Sequence, residues 1–254
     1  MKKTKTWIIT GAARGFGLEI SKAVMASGDN VVATVRSKPE ELAAKLDHHP
    51  KLHVAILDIN EEAQAIKVAA ETVERFGSID VLANNAGFGL LGGVEEISDL
   101  EARRVYETNV FGLLKVTRAV LPHMRRQRSG HVINFSSVGG LTGSAGWGIY
   151  CSTKFAVEGV TEALAKELAP LGIFATTVEP GYFRTNFLDG ASLLRAEKVI
   201  ADYAETAGAM REIATKVSYH QPGDPVKLAR AIVRLAETAC APSARHRHAD
   251  ALPG

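Results

Sequence analysis

The clearest candidates for chemistry in the sequence are Tyr150 and Lys154, which stand four residues apart. On a helix, residues at this spacing lie on one face, one turn from each other. A phenol has a reference pKa of about 10, so it exchanges protons poorly at neutral pH. A neighbouring ammonium can lower that pKa by roughly 1–3 units, which favours general acid–base catalysis. The same spacing also occurs on ordinary amphipathic helices, so the pair needs support from the rest of the chain.

A glycine-rich turn near the start of the chain gives the first support. The short, apolar and β-branched segment 6–10 runs into Gly11, Gly15 and Gly17, and apolar residues follow at helical spacing. A strand, a glycine turn and a helix in this order present free backbone N–H groups to a pyrophosphate. A glycine triplet alone is a weak signal, but its place after the first strand predicts a dinucleotide site.

The end of the second predicted strand, residues 30–35, bears on the choice of dinucleotide. An acidic residue at this point would bond the ribose 2′-hydroxyl of NAD, and the sequence offers none. Arg36 follows the strand instead, and Arg14 lies in the glycine turn. Two guanidiniums can clamp a 2′-phosphate, so we expect NADP(H) in preference to NAD(H). The alternative is that both arginines are solvated surface charges.

Three further polar positions follow strands or interrupt apolar stretches. Asp58 follows the strand 52–57, where it could contact the adenine or cap the helix that begins near residue 61. Asn109 is a polar amide within a long, otherwise apolar helix predicted over residues 99–121. It is either a satisfied buried amide or a group that reaches the active site.

Alternating strands and helices predict the fold class. We expect an α/β protein with a single Rossmann-type domain over residues 1–254, built on a doubly wound parallel sheet flanked by helices. Residues 182–222 have helical character and follow a strand end, which predicts a helical substrate lid. The predicted strands cover residues 6–10, 30–35, 52–57, 80–83, 131–135 and 174–178.

Composition and charge exclude several classes of protein. The net charge is +2, and the basic run 125–128 has no interleaved aromatic residues, so we expect a solvated loop there and no nucleic-acid partner. The apolar run 7–9 is too short for a signal peptide, and none approaches the ~20 residues that cross a membrane. Cys151 and Cys240 have no metal-type spacing, so we expect no metal and a cytoplasmic location, with Cys151 as a packing residue.

Taken together, the motifs resemble the classical short-chain dehydrogenase/reductase family from Thr6 to about Glu237. The matching motifs are Thr10-Gly11-x-x-x-Gly15-x-Gly17, Asp58, Asn84-Asn85-Ala86-Gly87, Asn109, Ser137, Tyr150-x-x-x-Lys154 and Pro180-Gly181-x-x-x-Thr185.

The resemblance implies a role for each catalytic residue. Tyr150 would be the general acid in reduction and the base in oxidation, and Ser137 would bond the reacting oxygen. Lys154 would bond the nicotinamide ribose and lower the Tyr150 pKa, and Asn109 would hold a water in a proton relay. Ser136 could share the role of Ser137, but a spacing of 13 residues before Tyr150 favours Ser137. The implied cofactor-binding residues are Gly11, Arg14, Gly15, Phe16, Gly17, Arg36, Asp58, Ile59, Asn85, Ala86, Gly87, Tyr150, Lys154, Pro180, Gly181 and Thr185.

The implied activity is NADP(H)-dependent interconversion of a hydroxyl and a carbonyl. The apolar lid and residues 88–91 favour a hydrophobic alcohol or ketone, such as a steroid, a retinoid or an alkyl ketone. The alternatives are a reductase of acyl-carrier-bound 3-keto substrates and a non-catalytic NADP-binding sensor. The family often forms homodimers or homotetramers through paired long helices, and it closes its sheet with a final strand. Residues 245–248 do not resemble such a strand.

Overall fold

The computed structural model describes residues 3–188, 190 and 192–239. Six strands form one parallel sheet in the order β3-β2-β1-β4-β6-β7, which confirms the predicted doubly wound α/β fold. The strands are β1 (Thr6–Ile9), β2 (Asn30–Val35), β3 (Leu52–Ile56), β4 (Val81–Asn84), β5 (Gly89–Leu91), β6 (Gly130–Phe135), β7 (Ile173–Val178) and β8 (Leu193–Arg195).

Helices cover both faces of this sheet. Successive residues of a strand point to opposite faces, so Trp7 and Ile9 pack with α1 and α8 while Ile8 packs with α3 and α5. The α-helices are α1 (Gly15–Ala26), α2 (Pro39–Lys45), α3 (Glu62–Phe76), α4 (Asp99–Tyr106), α5 (Leu113–Gln127), α6 (Gly148–Leu168), α7 (Ala209–Val217) and α8 (Pro225–Ala239).

The helix predicted over residues 99–121 is longer and less regular than expected. It runs from α4 through a π-helical turn, Glu107–Gly112, into α5, which ends at Gln127. Buried Val120 and Met124 continue the apolar stripe at a spacing of four, which holds the chain helical beyond residue 121. The solvated loop predicted at 125–128 is therefore wrong, because its first three residues lie in the last turn of α5.

The predicted lid, residues 182–222, is helical only in part. It contains β8, which pairs in parallel with β5 and which the sequence did not reveal. The pairing joins Gly89 to Leu193 and Leu91 to Arg195, so the lid segment is fastened beside the end of β4. Periodicity misses a strand this short because three residues show no alternation.

A buried carboxylate anchors the far side of the same segment. The Glu96 side chain is fully buried and forms an ion pair with Arg211 on α7. It also accepts hydrogen bonds from the backbone N–H of Gly93 at 2.6 Å and of Ile200 at 2.9 Å. Since a half-paired buried charge costs several kcal/mol, these contacts hold the lid segment in place.

The described residues end at residue 239. Cys240, residues 241–254 and the non-strand prediction at 245–248 lie outside the described residues. Within the described residues, no helix combines the length and apolarity needed to span a membrane. The same part of the chain holds no group of three or more histidine, cysteine or acidic side chains arranged to bind a metal ion.

Stability should fall in acid because of His131. This residue is fully buried on β6, and burial lowers the pKa of its imidazole to about 4. The unfolded chain binds a proton near pH 6.5, so the folded state should lose about 3 kcal/mol as the pH falls from 6.5 to 4. Denaturant unfolding at stepped pH should show this loss, and His131→Leu should remove it. Equal slopes in both proteins would contradict the assignment to His131.

Candidate active site

A cavity of about 750 Å³ opens at the carboxyl edge of the sheet, where the strand order reverses between β1 and β4. This is the position at which open α/β sheets bind ligands. Gly17 and Asn109 alone among the predicted site residues are not part of its wall. The predicted residues that line it are Gly11, Arg14, Gly15, Phe16, Arg36, Asp58, Ile59, Asn85, Ala86, Gly87, Ser137, Tyr150, Lys154, Pro180, Gly181 and Thr185.

The glycine turn after β1 has the conformation that the sequence predicted. Gly11 and Gly15 have φ of +67° and +57°, a region that other residues rarely adopt. Gly17 lies behind the turn, where a Cβ would stand 2.5 Å from the Gly11 carbonyl oxygen. The Asn85 side chain supports the turn from below, donating to the carbonyl oxygens of Thr10 at 2.8 Å and Gly11 at 3.2 Å. The turn therefore fits the backbone cradle that a pyrophosphate needs.

Two arginines line the end of the cavity near β2, in different arrangements. Arg36 is exposed on the wall directly after the strand. Arg14 extends across to the lid segment, where its guanidinium donates to Ser192 Oγ at 2.8 Å. Sequence spacing could not show this contact, because Ser192 is distant in the chain and carries no motif.

Asp58 lies on the cavity wall but does not cap the following helix. Its carboxylate accepts from the Asn60 N–H at 3.0 Å, which forms a local turn, and α3 begins after Glu61 without a side-chain cap. The structure therefore excludes the helix-capping alternative for Asp58. The neighbouring Ile59 is buried, and it packs where a Cβ on Gly112 would come within 2.8 Å.

Tyr150, Lys154 and Ser137 meet on one wall of the cavity. Tyr150 and Lys154 lie on one face of α6, with the ammonium 5.7 Å from the centre of the phenol ring. Burial raises the pKa of Tyr150, and its interaction with the Ser137 hydroxyl offsets part of this rise. The direction of the Tyr150 pKa shift is therefore set by burial and is opposite to the lowering expected from Lys154.

Lys154 is itself buried and is held by the backbone. Its Nζ donates to the Phe135 carbonyl oxygen at 2.8 Å, at the last residue of β6. Burial lowers the pKa of Lys154 to about 8, and the carboxylate of Glu158 opposes this shift. The side chain therefore keeps a positive charge at neutral pH inside the cavity wall.

Asn109 is a satisfied buried amide in the π-helical turn. Its Oδ1 accepts from the Phe88 N–H at 3.0 Å, and its Nδ2 donates to the Phe88 carbonyl oxygen at 2.9 Å. The same Nδ2 lies 3.3 Å from Thr153 Oγ1 on α6. Gly87 makes this approach possible, since a Cβ there would stand 3.0 Å from Asn109 Oδ1. Single-turn π-helices are frequent at functional sites, and this one joins the end of β4 to α6.

The wall around the Tyr150 phenol is aromatic and apolar, which motifs alone did not reveal. Trp147 packs edge-on against the Tyr150 ring with centroids 5.6 Å apart, and Phe187 from the lid segment lies 5.8 Å away. Leu188 and Cys151 belong to the same buried cluster, so Cys151 is a packing residue as predicted. The apolar composition of the predicted lid indicated a hydrophobic wall, but it could not predict which residues contact Tyr150.

Comparison with known proteins places the chain among oxidoreductases. The sequence model for short chain dehydrogenase matches residues 5–193. Oxidoreductase BOA17 of Botryotinia fuckeliana is 38% identical over 234 residues, covering 91% of this chain and 84% of that protein. Retinol dehydrogenase 8 of Bos taurus is 34% identical over 98% of this chain and 83% of its own length. The 3-oxoacyl-[acyl-carrier-protein] reductase FabG of Staphylococcus aureus is 36% identical over 76% of this chain and 80% of its own.

Solved structures agree on the fold and differ in their nucleotide. A short-chain dehydrogenase from Streptomyces avermitilis superposes with a TM-score of 0.83 at 41% identity, covering 92% of this chain and 84% of that one. ElxO with NADP bound has a TM-score of 0.77 at 26% identity, covering 92% of each chain. A short chain dehydrogenase/reductase from Burkholderia phymatum in complex with NAD has a TM-score of 0.82 at 25% identity, covering 94% and 87%.

The Asn109 amide should contribute measurably to the free energy of unfolding. Asn109→Ala leaves both backbone groups of Phe88 without their partner, which should cost roughly 1–3 kcal/mol in the free energy of unfolding. Denaturant unfolding of the purified variant gives this value directly. An unchanged free energy of unfolding would show that the amide does not hold Phe88.

Proposed function

The chain belongs to the short-chain dehydrogenase family of oxidoreductases that act on CH–OH groups, and from that premise we propose that it interconverts a hydrophobic alcohol and its carbonyl with NADP(H). The observation that carries the proposal is the placement of the Tyr150 phenol. It lies in an apolar wall, beside Ser137 and Lys154, in the cavity that the glycine turn also lines.

Each group on this wall has a chemical task in the proposed reaction. A bound nicotinamide cofactor would supply or accept the hydride. Ser137 and Tyr150 would donate hydrogen bonds to the carbonyl oxygen, where negative charge builds up during reduction. Tyr150 is protonated at neutral pH, so it has a proton to donate, and the positive charge of Lys154 would stabilise the phenolate that the transfer leaves behind. Lys154 would hold the nicotinamide ribose and place a positive charge near the phenol.

The preference for NADP(H) rests on Arg36. It follows β2 on the cavity wall, in place of the acidic residue that a ribose 2′-hydroxyl would require. An exposed guanidinium there suits a 2′-phosphate. Related structures hold NADP or NAD, so the residue at this point is the basis for the preference.

The substrate class follows from the surroundings of Tyr150. Trp147, Phe187 and Leu188 form an aromatic and aliphatic wall that suits a steroid, a retinoid or an alkyl ketone. The retinol dehydrogenase relative supports this class. The FabG relative favours a second candidate, reduction of an acyl-carrier-bound 3-keto group. A non-catalytic sensor would have no need for the complete set of Ser137, Tyr150 and Lys154.

We further propose a cytoplasmic homodimer or homotetramer. Phe111 on the π-helical turn and Phe155 on α6 are 49% and 45% exposed, and aromatic side chains are enriched at interfaces. These residues lie on the two helical segments through which the family often pairs. The cytoplasmic location rests on the cysteine usage of the sequence.

Loss of the Tyr150 hydroxyl should abolish turnover without abolishing nucleotide binding. A screen of NADPH oxidation over steroid, retinal, quinone, simple keto and acyl-carrier-bound substrates first identifies a substrate. With that substrate, Tyr150→Phe should lower kcat by about 10²-fold or more, because the proton donor is lost. NADPH fluorescence should report unchanged binding.

The matched control is Tyr106→Phe, because the Tyr106 hydroxyl bonds Ser152 outside the cavity wall. Its kcat should stay near that of the unmodified protein. Most of the activity surviving in Tyr150→Phe would exclude Tyr150 as the proton donor.

Reversing the charge at Arg36 should change the cofactor preference. In Arg36→Asp the carboxylate repels a 2′-phosphate and can bond a 2′-hydroxyl, so the ratio of kcat/KM for NADPH to that for NADH should fall tenfold or more. Lys38→Asp makes the same charge change two residues later, where Lys38 pairs with Glu41 at the surface, and should shift the ratio little. If Arg36→Asp leaves the ratio unchanged, Arg36 does not bind the 2′-phosphate.

A further inference from the structure

Helix α6 lies beside the chain segment 135–137, which begins at the last residue of β6. Tyr150, Lys154 and Glu158 stand at successive spacings of four and so share one face of α6. Tyr150 interacts with Ser137, and Lys154 donates to the Phe135 carbonyl oxygen. Ser136 lies between Phe135 and Ser137, and its hydroxyl oxygen and a Glu158 carboxylate oxygen both lie beside Gly140.

Ser136 and Glu158 each present an oxygen that nothing in the described part of the chain satisfies. Ser136 Oγ and Glu158 Oε1 are buried and have no hydrogen-bond partner among the described residues. Both face Gly140, where a Cβ would overlap Ser136 Oγ and stand 3.0 Å from Glu158 Oε1. An unpaired buried polar group costs roughly 1–3 kcal/mol, so two of them converging on one point call for a shared partner. A water that bonds both oxygens meets this requirement.

We propose that Ser136 and Glu158 hold one ordered water beside Gly140, and that Glu158 thereby acts as a positioning residue for the turn that carries Ser137. The role in turnover rests on the proposed function, in which Ser137 bonds the substrate oxygen.

The turn packs against α6, but its hydrogen bonds run within the turn and toward the end of β7. Gly140 N–H donates to the Ser137 carbonyl oxygen at 2.7 Å, and Gly139 N–H donates to Ser137 Oγ at 3.1 Å. Both are internal to the turn. The Val138 N–H reaches the Pro180 carbonyl oxygen at 3.3 Å on the side of β7. The water would add a link from the turn to α6, the helix that carries Tyr150, and so fix the two hydroxyls relative to each other.

The charge of Glu158 is a second way in which this residue could act, because it opposes the lowering of the Lys154 pKa. Glutamine removes the charge and keeps an amide oxygen that can accept from a water, whereas leucine removes both. The two substitutions therefore separate the hydrogen-bonding role from the charge.

The kinetic experiment compares Glu158→Leu with Glu158→Gln, using the substrate found in the NADPH-oxidation screen. Glu158→Leu should lower kcat about tenfold with little change in the KM for NADPH, since a misplaced donor slows the chemical step. Glu158→Gln should stay within about twofold of the unmodified protein. Glu162→Leu, one turn further along α6 in an exposed pair with Lys166, is the matched control and should leave kcat unchanged. Full activity in Glu158→Leu, or an equal loss in Glu158→Gln, would overturn the proposal.

Variants at the water position check whether any loss comes from steric collision. Gly140→Ala collides with Ser136 Oγ, whereas the double variant Ser136→Ala with Gly140→Ala removes that oxygen and still fills the space. Both should lose kcat to a similar extent while remaining folded by thermal unfolding. Recovery of kcat in the double variant would attribute the loss to the collision and would contradict a role for the water.

A high-resolution crystal structure tests the site without any turnover. It should show a water within hydrogen-bond distance of Ser136 Oγ and Glu158 Oε1, and no such water in Glu158→Leu. An electron-density map that shows no water between these two oxygens would overturn the proposal, even if the enzyme is active. If the protein holds this water but turns over none of the screened substrates, the proposed function is contradicted and the water site is not.

Discussion

The site is organised around a buried ammonium. Lys154 is almost fully buried, and a charge in that position is tolerated only if it is paired or hydrogen-bonded. The Phe135 carbonyl oxygen at 2.8 Å supplies such a bond. Because the bond joins α6 to the end of β6, it helps to fix the position of α6 over the sheet. Tyr150 lies one turn away on the same face of α6, so this contact also helps to position its phenol.

A network of amide and hydroxyl side chains beneath the cavity carries this positioning into the sheet. Asn84 at the end of β4 donates to Asn134 Oδ1 on β6 at 2.9 Å, and Asn134 donates to Thr161 Oγ1 on α6 at 2.8 Å. Asn109 adds a link from the π-helical turn to Phe88, just beyond β4. Polar networks of this kind are favourable when nearly every member has a partner, and they specify one arrangement of the elements. The elements that carry the cavity wall are therefore linked to one another beneath it.

Sequence reasoning succeeded where local pattern decides structure. Buried parallel strands such as Asn30–Val35 are short β-branched runs, and the glycine turn needs backbone angles that only glycine adopts easily. It failed where contacts distant in the chain decide. The strand β8 exists because β5 lies beside it, and Glu96 is buried because Arg211 and two backbone N–H groups surround it. The direction of the Tyr150 pKa shift also depends on burial by Trp147 and Phe187, which spacing cannot show.

The attachments of the lid segment differ in strength according to their burial. The Glu96–Arg211 pair is shielded from water, and breaking it would leave an uncompensated charge in the interior, at a cost of roughly 3–5 kcal/mol. The hydrogen bond from Arg14 to Ser192 lies at the surface, where water replaces either partner and the net cost is about 1 kcal/mol. The Glu96–Arg211 pair is therefore the stronger of these two attachments.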